Sequence, residues 1–538
     1  MGSDDAALST GIHSAGRSAL ATRSAFILLV ILLAVFQFSE NTADPDLWGH
    51  VLFGQEIIKS GSIPRVDSYS WTAQGQPWIN HEVLAEVCMG TVHSWLGGGG
   101  LLLLKMGVGL AAFFLALRLG AAGVVGTARL WAWAFGALAV VEISYGFAAR
   151  PQIFTALFLV LELLMLRRIH AGRLQWAAGL PILFLVWINT HGGVLAGYGL
   201  LVLTVLVSTA QMLAGRNREK RQQGLTLWLA LIVSGGALWC NPWGGELVRW
   251  LVGSVLWSRP EIEEWNAVPM GWDHAAFFIV LGLTVFACLS SRHQRAWWEV
   301  AACAAFAVLA LKSTRNTPLF CLVALATGPL HLGNSVARFQ DHFARLTMLV
   351  HLPGFQKTIT ALMAVAAVGV AFSVFTLHKE NPLTMEVSRS KYPVGAVNFI
   401  REHQLNGRLV NFFDWGEMVI FELPDCLPSI DGRLDTCYSR ELITAHWKFY
   451  NDQTFDRAVF DPDDADLALL PSTLVGAQAL AHRGGWQAVY FDDVAVVLAR
   501  QPGRFPSLLQ IKLPVEGRPE DTTGRAAFPN QSPRWAAR

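Results

Sequence analysis

About eleven apolar runs joined by short polar connections set the first constraint on this chain. They lie at residues 20–38, 99–117, 123–141, 152–166, 176–190, 194–213, 225–240, 275–290, 297–311, 317–331 and 358–377. A bilayer core takes about 20 mostly apolar residues per helix, and lipid leaves no backbone group a partner outside its own segment. Each run is therefore read as a membrane-spanning helix. A further stretch, 249–257, is too short to span and is placed at the interface. Composition supports this reading. The chain is 53% hydrophobic and only 15% charged, whereas soluble domains carry about 25% charged residues. Basic residues are dispersed, with no polybasic tract interleaved with aromatics, which excludes nucleic acid as a partner. The Cys residues show no zinc-site spacing and read as small core residues, although Cys426 and Cys437 share one segment where a disulfide is allowed.

Charge on the connections sets an orientation. Arg118 and Arg129 flank one connection, and Arg167, Arg168 and Arg173 fill the next alternate one. Arg216, Arg218, Lys220 and Arg221 follow, then Arg292 and Arg295, then Arg338, Arg345 and Lys357. Basic connections stay cytoplasmic. The intervening set carries Asp44, Asp46, Asp67, Glu82, Glu86, Glu142, Glu261, Glu263, Glu264 and Asp273. The first span follows Arg17 and Arg23 without a small-residue cleavage site and reads as an anchor. The expectation is a polytopic α-helical protein of a bacterial-type inner (plasma) membrane. Residues 1–19 are cytoplasmic, 20–377 form the membrane domain with a long first outer loop at 39–98, and 378–500 form a small extracytoplasmic α/β domain. Residues 501–538, rich in Pro and Arg, read as a disordered tail.

Polar residues gather on the outer side. Leu47, Trp48, Val51, Leu52 and Ile58 recur at helical spacing after Asp46, as in an amphipathic helix on the membrane surface that ends at Gly61 and Pro64. Trp71 and Trp78 suit the headgroup level. A second amphipathic run places Leu84, Val87, Cys88 and Trp95 on one face, beyond His81 and Glu82. The shorter outer loops offer Glu142, Arg150-Pro151-Gln152, Asn189-Thr190-His191, Asn241-Pro242-Trp243, Glu264-Trp265 and Lys312 to Asn316. Each group taken alone serves equally well as a helix cap. Inside spans, Glu162 is expected to pair with Arg167 or to snorkel, and Lys105 to snorkel outward or meet a lipid phosphate. In the last domain, Tyr392 to His403 and Leu474 to Arg483 read as helices. Arg408–Phe413, Pro428–Ile430, Leu467–Leu470, Trp486–Phe491 and Val494–Ala499 read as strands. Gly416 and Asp431-Gly432-Arg433 fall at strand ends, where functional loops sit.

Two segments carry a family likeness. Asp44-Pro45-Asp46-Leu47-Trp48 stands just outside the first span and leads into a helix closed by Gly61. Phe412-Phe413-Asp414-Trp415-Gly416, followed by Asp431-Gly432-Arg433, is similar to a degenerate Trp-Trp-Asp-Tyr-Gly motif of oligosaccharyltransferase outer domains. With the topology, these segments make the chain resemble the GT-C superfamily of membrane glycosyltransferases, which use polyprenyl-phosphate-linked sugars, at a distance from oligosaccharyltransferases and aminoarabinose transferases. The resemblance implies transfer of a sugar from a lipid-linked donor to a glycan, lipid or protein acceptor on the outer side. It assigns the catalytic carboxylate to Asp46, with Asp44 second. Cations would stabilise the departing phosphate, and Arg150, Arg315, His191 and Lys105 are the candidates. His81, Glu82, Glu142, Asp414, Asp431 and Arg433 support the outer face. The resemblance allows a divalent cation, Mg2+ or Mn2+. No clear second D-x-D follows in the next outer loop, only Glu142. Both leading aromatics of the second motif are Phe, so recognition of protein acceptors does not carry over. Rival readings are a catalytically inactive glycan-binding scaffold and a lipid-linked glycan transporter or flippase. The chain has no convincing internal repeat of the transporter kind.

Overall fold

The computed structural model describes residues 2–125, 129–215, 217–256, 262–339, 353–377 and 383–529. The chain divides into two compact units. A helical unit comprises 1–40, 105–147 and 152–382, and an α/β unit comprises 41–104, 148–151 and 383–538.

The helical unit is built from α1 (Gly2–Phe38), the second part of α3 (Val83–Gly120), α4 (Arg129–Ile143), α5 (Gln152–His170), α6 (Gly179–Ile188), α7 (Val194–Ala214), α8 (Arg218–Ala237), α9 (Gly245–Leu256), α10 (Ala275–Ser290), α11 (Trp297–Lys312), α12 (Thr317–Phe339) and α13 (Pro353–Leu377). Every expected span holds a helix among the described residues. Six helical stretches are long and apolar enough to cross a membrane: Leu20–Phe38, Val83–Gly120, Val194–Ala214, Trp272–Ser290, Thr314–Phe339 and Gln356–Val374. The chain is a multi-pass membrane protein. The short stretch expected at the interface lies within amphipathic α9 and runs into undescribed residues. At the centre of the unit, α12 is buried on all sides from Phe320 to Pro329, as a helix apolar all round must be. Helices α4 and α10 pack against it. By contrast α13 leaves Leu362, Val365, Val368 and Phe372 exposed, an apolar stripe suited to lipid.

Glu162 does not pair with Arg167. Arg167 instead makes a forked pair with Glu299 (2.7 and 3.2 Å) and donates to the carbonyls of Leu119 and Ala326. Glu162 points to the opposite side of α5, toward Trp187 and the Gly197 backbone, fully buried.

The α/β unit contains a six-stranded sheet of order β3-β2-β4-β6-β5-β7. Its strands are β2 (Gly407–Asn411), β3 (Cys426–Pro428), β4 (Leu467–Leu470), β5 (Trp486–Phe491), β6 (Val496–Arg500) and β7 (Val515–Glu516). β2 runs parallel to both neighbours, while β6 is antiparallel to β4 and β5. A second, two-stranded sheet pairs β1 (Glu386–Ser388) with β8 (Arg525–Ala527). β4 and β5 match their expected bounds, and β2, β3 and β6 shift by up to two residues. Helix α14 (Val394–Glu402) falls within its expected range.

Several expectations change here. The tail was read as disordered from 501, but 501–529 carries short helices, β7 and β8. Pro and Arg richness there reflects turns pinned to a sheet. Residues 530–538 lie outside the described set. The first outer loop belongs by contacts to the α/β unit and not to the membrane helices. Helix α2 (Leu47–Ser60) is buried from Leu47 to Gln55, His50 included, so it is a core helix and not a surface one. Its partner is α15 (Gly416–Glu422). Trp78 is 2% exposed and serves as core, packed against Phe53 and Tyr69. Trp95, in the first part of α3, stays 81% exposed. Cys426 and Cys437 are both free thiols.

Candidate functional site

The Asp44-Pro45-Asp46 segment is held before its helix begins. Ala43 N–H donates to the Glu386 carbonyl (2.6 Å), and Glu386 N–H donates to the Asn41 carbonyl (2.8 Å), which seats the segment against β1. Tyr392 O–H donates to the Ala43 carbonyl (2.9 Å). Helix α2 then starts, with His50 N–H on the Asp46 carbonyl, and closes at Gly61 in the left-handed region (φ 64°). Asp46 occupies the N-cap position, yet its side chain makes no capping hydrogen bond. It turns instead to Arg150, whose Nη2 lies 3.3 Å from Asp46 Oδ2 and whose Nε is ion-paired with Asp44 Oδ1. Asp44 Oδ1 also accepts from Asp46 N–H (3.1 Å). One guanidinium therefore braces both acids of the motif.

The segment that follows β2 brings two more acids to this place, and the loop after β3 closes on them. Crevices beyond the carboxyl ends of parallel strands are common ligand sites. Asn411, at the end of β2, is fully buried and ties the loops together. Its Oδ1 accepts from Ser429 N–H (2.8 Å) and its Nδ2 donates to the Ile430 carbonyl (2.7 Å). Glu417, in the first turn of α15, points its carboxyl at α2 and accepts from Gly49 N–H (3.1 Å). A Cβ at Gly432 would collide with Asp46 Oδ1 and sit 2.8 Å from Glu417 Oε1, and one at Gly49 would run into the Glu417 carboxyl. A larger residue at either position would have to displace a carboxyl of the cluster. Burial first, then the negative charges of Asp46 and Asp431, push Glu417 well above the usual carboxyl range. Asp414 reaches solvent, but its desolvating surroundings and then the charge of Asp46 raise it to about 6. Burial also raises Asp44, against the lowering charge and hydrogen bond of Arg150.

Asp431 and Arg433 form a different assembly. Arg433 makes a forked contact with Asp431 (2.8 and 2.7 Å) and an ion pair with Asp67 (2.6 Å). Its guanidinium lies over Trp78, Tyr69 and Phe53, with ring centroids 4.9–5.7 Å away. Tyr438 O–H completes the contacts with a 2.5 Å bond to Asp431. This group locks the 39–98 loop onto the sheet domain and so holds Gly432 against Asp46.

His81 and Glu82 belong to a third cluster, with His50 and Glu86. His81 Nε2 lies 3.5 Å from Glu82 Oε1, and His50 Nδ1 lies 3.9 Å from Glu82 and 3.7 Å from Glu86. Burial resists charge on His50, but the two glutamates outweigh it and shift the ring upward. Among the described residues this is the one His/Glu group with the spacing to hold a metal ion.

The remaining candidates lie in the helical unit. Arg315 Nη2 is 3.5 Å from both His191 Nε2 and Gln152 Oε1, and Nη1 is 3.5 Å from Glu264. Gly193 N–H donates to His191 Nδ1 (3.0 Å), so a neutral ring carries its proton on Nε2, facing Arg315. Two donors that converge in this way suit an anion. Lys105 is 1% exposed, and its ammonium donates to the Glu40 carbonyl, with the Glu40 carboxylate 3.8 Å away. Glu142 is 1% exposed and accepts from Thr317 O–H (2.5 Å) beside His274 Nδ1 (3.1 Å). Both are internal ties of the helical unit.

Sequence reasoning missed Glu417, His50 and Glu86 as site members. Glu417 directly follows the Phe412–Gly416 motif. His50 stands one turn after Asp46 and Glu86 one turn after Glu82, so helical spacing from motif acids was the available signal.

No family model matches the chain, and no curated protein matches it in sequence. Solved structures do match. The apo oligosaccharyltransferase of Archaeoglobus fulgidus superposes with a TM-score of 0.54 at 10% identity, over 84% of this chain and 69% of that one. The archaeal oligosaccharyltransferase AglB from the same organism, in complex with an inhibitory peptide and a dolichol-phosphate, gives 0.52 at 11% identity over the same shares. ArnT from Cupriavidus metallidurans bound to undecaprenyl phosphate is a looser likeness, on which nothing below depends: 0.48 at 15%, over 90% of this chain and 98% of that one. The chain shares its fold, at a distance, with the GT-C membrane glycosyltransferases.

Proposed function

From the premise of a shared GT-C fold, we propose that the chain transfers a sugar from a polyprenyl-phosphate-type lipid donor to an acceptor on the outer side of the membrane. The observation that carries this reading is Asp46. It stands at a helix N-terminus without capping it, ion-paired to Arg150 and crowded by Glu417. A carboxylate so placed can take the proton from an acceptor O–H or N–H as that atom attacks the sugar C1. The C1–O bond to phosphate breaks, and the lipid phosphate leaves with the electron pair. Arg150 organises the two aspartates, and Glu417, kept protonated, gives the cluster a neutral neighbour that does not repel a second anion. Asp414, titrating near 6 and open to solvent, returns the proton to bulk water. Within the helical unit, Arg315 and His191 are the candidates for a phosphate, forked Arg contacts being suited to phosphate oxygens. The donor class follows the dolichol-phosphate held by the archaeal enzyme. The proposal also keeps the cytoplasmic N-terminus and the inner-membrane location inferred from loop charge.

A non-catalytic glycan-binding scaffold is the second reading, and one observation favours it: both motif aspartates are already engaged in ion pairs with Arg150. A deletion strain separates the two when its lipid-linked sugars and surface glycans are profiled by mass spectrometry. Transfer predicts a donor lipid that accumulates while one acceptor goes unmodified, and complementation with Asp46→Asn that fails to clear it. An Asp46→Asn chain that restores the wild-type profile favours the scaffold.

A further inference from the structure

The cluster of His50, Glu82 and Glu86 is not used by the chemistry above. Helices α2 and α3 cross here at near-backbone contact. A Cβ at Gly54 would strike the Glu86 carbonyl, and one at Gly90 would sit 2.7 Å from the Gln55 nitrogen. That crossing fixes His50 on one helix against Glu86 on the other, with Glu82 just ahead of α3. One donor atom from each residue lies within 4.8 Å of the other two. His50 Nδ1 stands 3.7 Å from Glu86 Oε1 and 3.9 Å from Glu82 Oε2, too far for hydrogen bonds. Two bonds of about 2.1 Å to a shared ion span nearly that distance. The His50 ring is 7% exposed, and its Nδ1 has no hydrogen-bond partner among the described residues. A buried polar atom in that state is costly unless something fills the gap. Glu86 is already oriented from behind, since Asn80 Nδ2 donates to its Oε2 at 2.5 Å and leaves Oε1 toward His50. Outer-shell bonds of this kind orient metal ligands. Glu82 keeps a 17% exposed side chain, which gives an entry path.

We propose that His50, Glu82 and Glu86 bind a divalent transition cation, Zn2+ or Mn2+, in a site distinct from the Asp44/Asp46 motif. The donor set selects the ion class. Mg2+ and Ca2+ take oxygen ligands, whereas one imidazole with two carboxylates suits transition cations. The motif itself is less suited to a metal, because the Arg150 guanidinium already supplies positive charge to both aspartates. A cation at the cluster clamps α2 to α3 one turn beyond Asp46. The site stands whether or not the chain transfers a sugar.

The test is made on the full-length protein purified in detergent, stripped with chelator, reloaded with Zn2+, Mn2+ or Mg2+ and freed of excess by gel filtration. Elemental analysis is expected to find Zn2+ or Mn2+ retained at about one ion per chain and Mg2+ not retained. His50→Ala and Glu86→Gln are expected to weaken Zn2+ binding by at least roughly 100-fold, beyond the loss typical for an outer-shell change. Asp46→Asn is expected to retain the ion. Should His50→Ala fail to fold, wild-type protein loaded with Co2+ still decides the matter, by absorption bands of mixed nitrogen–oxygen coordination. Four results would each overturn the site: no retained Zn2+ or Mn2+, wild-type affinity in both cluster variants, loss of the ion in Asp46→Asn, or a Co2+ spectrum without nitrogen ligation.

Discussion

Two arginines in the α/β unit each bridge two aspartates, and they differ in what surrounds them. Arg433 with Asp431 and Asp67 is sealed: the three side chains are 3%, 0% and 0% exposed, and aromatic rings cover the guanidinium. Arg150 with Asp44 and Asp46 is open, at 22%, 11% and 25%. The sealed group also has Tyr438 to satisfy Asp431, whereas the open group is crowded by further acids whose carboxyls are raised by burial and by its own negative charge. One arginine and two aspartates thus make a latch in one place and a reactive cluster in the other. Burial and the surplus of acids separate the two, and neither is visible in a short motif.

The contrast breaks most easily at the latch. Arg433→Ala leaves Asp67 and Asp431 buried without their cation, and removal of one partner from a buried pair costs about 3–5 kcal/mol. Thermal unfolding in detergent should therefore show a large loss of stability. A variant that melts with the wild type would mean the latch holds nothing.

Arg315 extends the comparison to the helical unit. It is 30% exposed, 3.5 Å from Glu264, and stacked over Trp265 at 5.0 Å. On the proposal it acts like Arg150's open group and not like Arg433's latch. Arg315→Ala should weaken binding of a polyprenyl-phosphate sugar by roughly 10- to 100-fold, the value of a charged hydrogen bond, with the melting temperature little changed. An unchanged affinity would return Arg315 to the role of an interfacial anchor.

A smaller effect sharpens the account of the open cluster. The Asp414 pKa is raised from 3.8 to about 6, so the folded protein holds this proton between those values and releases it as pH rises through about 6. Once ionised, Asp414 can accept the proton passed on from Asp46. Transfer should rise through about pH 6, and Asp414→Asn should flatten that step. The same linkage gives the stability sign: binding more protons when folded makes stability fall from about pH 4 toward 6, and Asp414→Asn should remove that fall. A pH profile identical in the variant would take Asp414 out of the relay.

Much of the architecture was legible because apolar period and charge alternation are long-range averages. Eleven helices stand where the runs stand, and β4 and β5 keep their bounds. Legibility failed where tertiary contacts override local pattern. The alternation of Leu47, Trp48, Val51 and Leu52 is truly amphipathic, but α2 finds protein on its polar side too, because α15 supplies a glutamate that accepts from Gly49. Glu162 and Arg167 look like a pair along the chain, yet five residues of helix turn them apart, and Glu299 reaches Arg167 first. Lys105 reads in sequence as a cation that snorkels outward or meets a lipid phosphate, yet it is 1% exposed and its ammonium donates to the Glu40 carbonyl. At the site, Asp44, Asp46 and Arg150 were readable as types. Their union was not, since 104 residues separate Asp46 from Arg150 and only the fold joins them.

The difference between the two triads is tested most directly by a matched pair of variants, Asp46→Asn and Asp431→Asn, each measured for sugar transfer and for thermal stability. Asparagine keeps the size and much of the hydrogen bonding of aspartate but is neither an anion nor a base. Asp46→Asn should melt within about 1 kcal/mol of the wild type, the usual worth of a part-exposed ion pair, and lose transfer by at least roughly 100-fold, the scale of a general base. Asp431→Asn should lose stability first, with transfer per folded molecule closer to the wild type. The opposite pattern, an Asp46→Asn protein with wild-type transfer, would contradict the account.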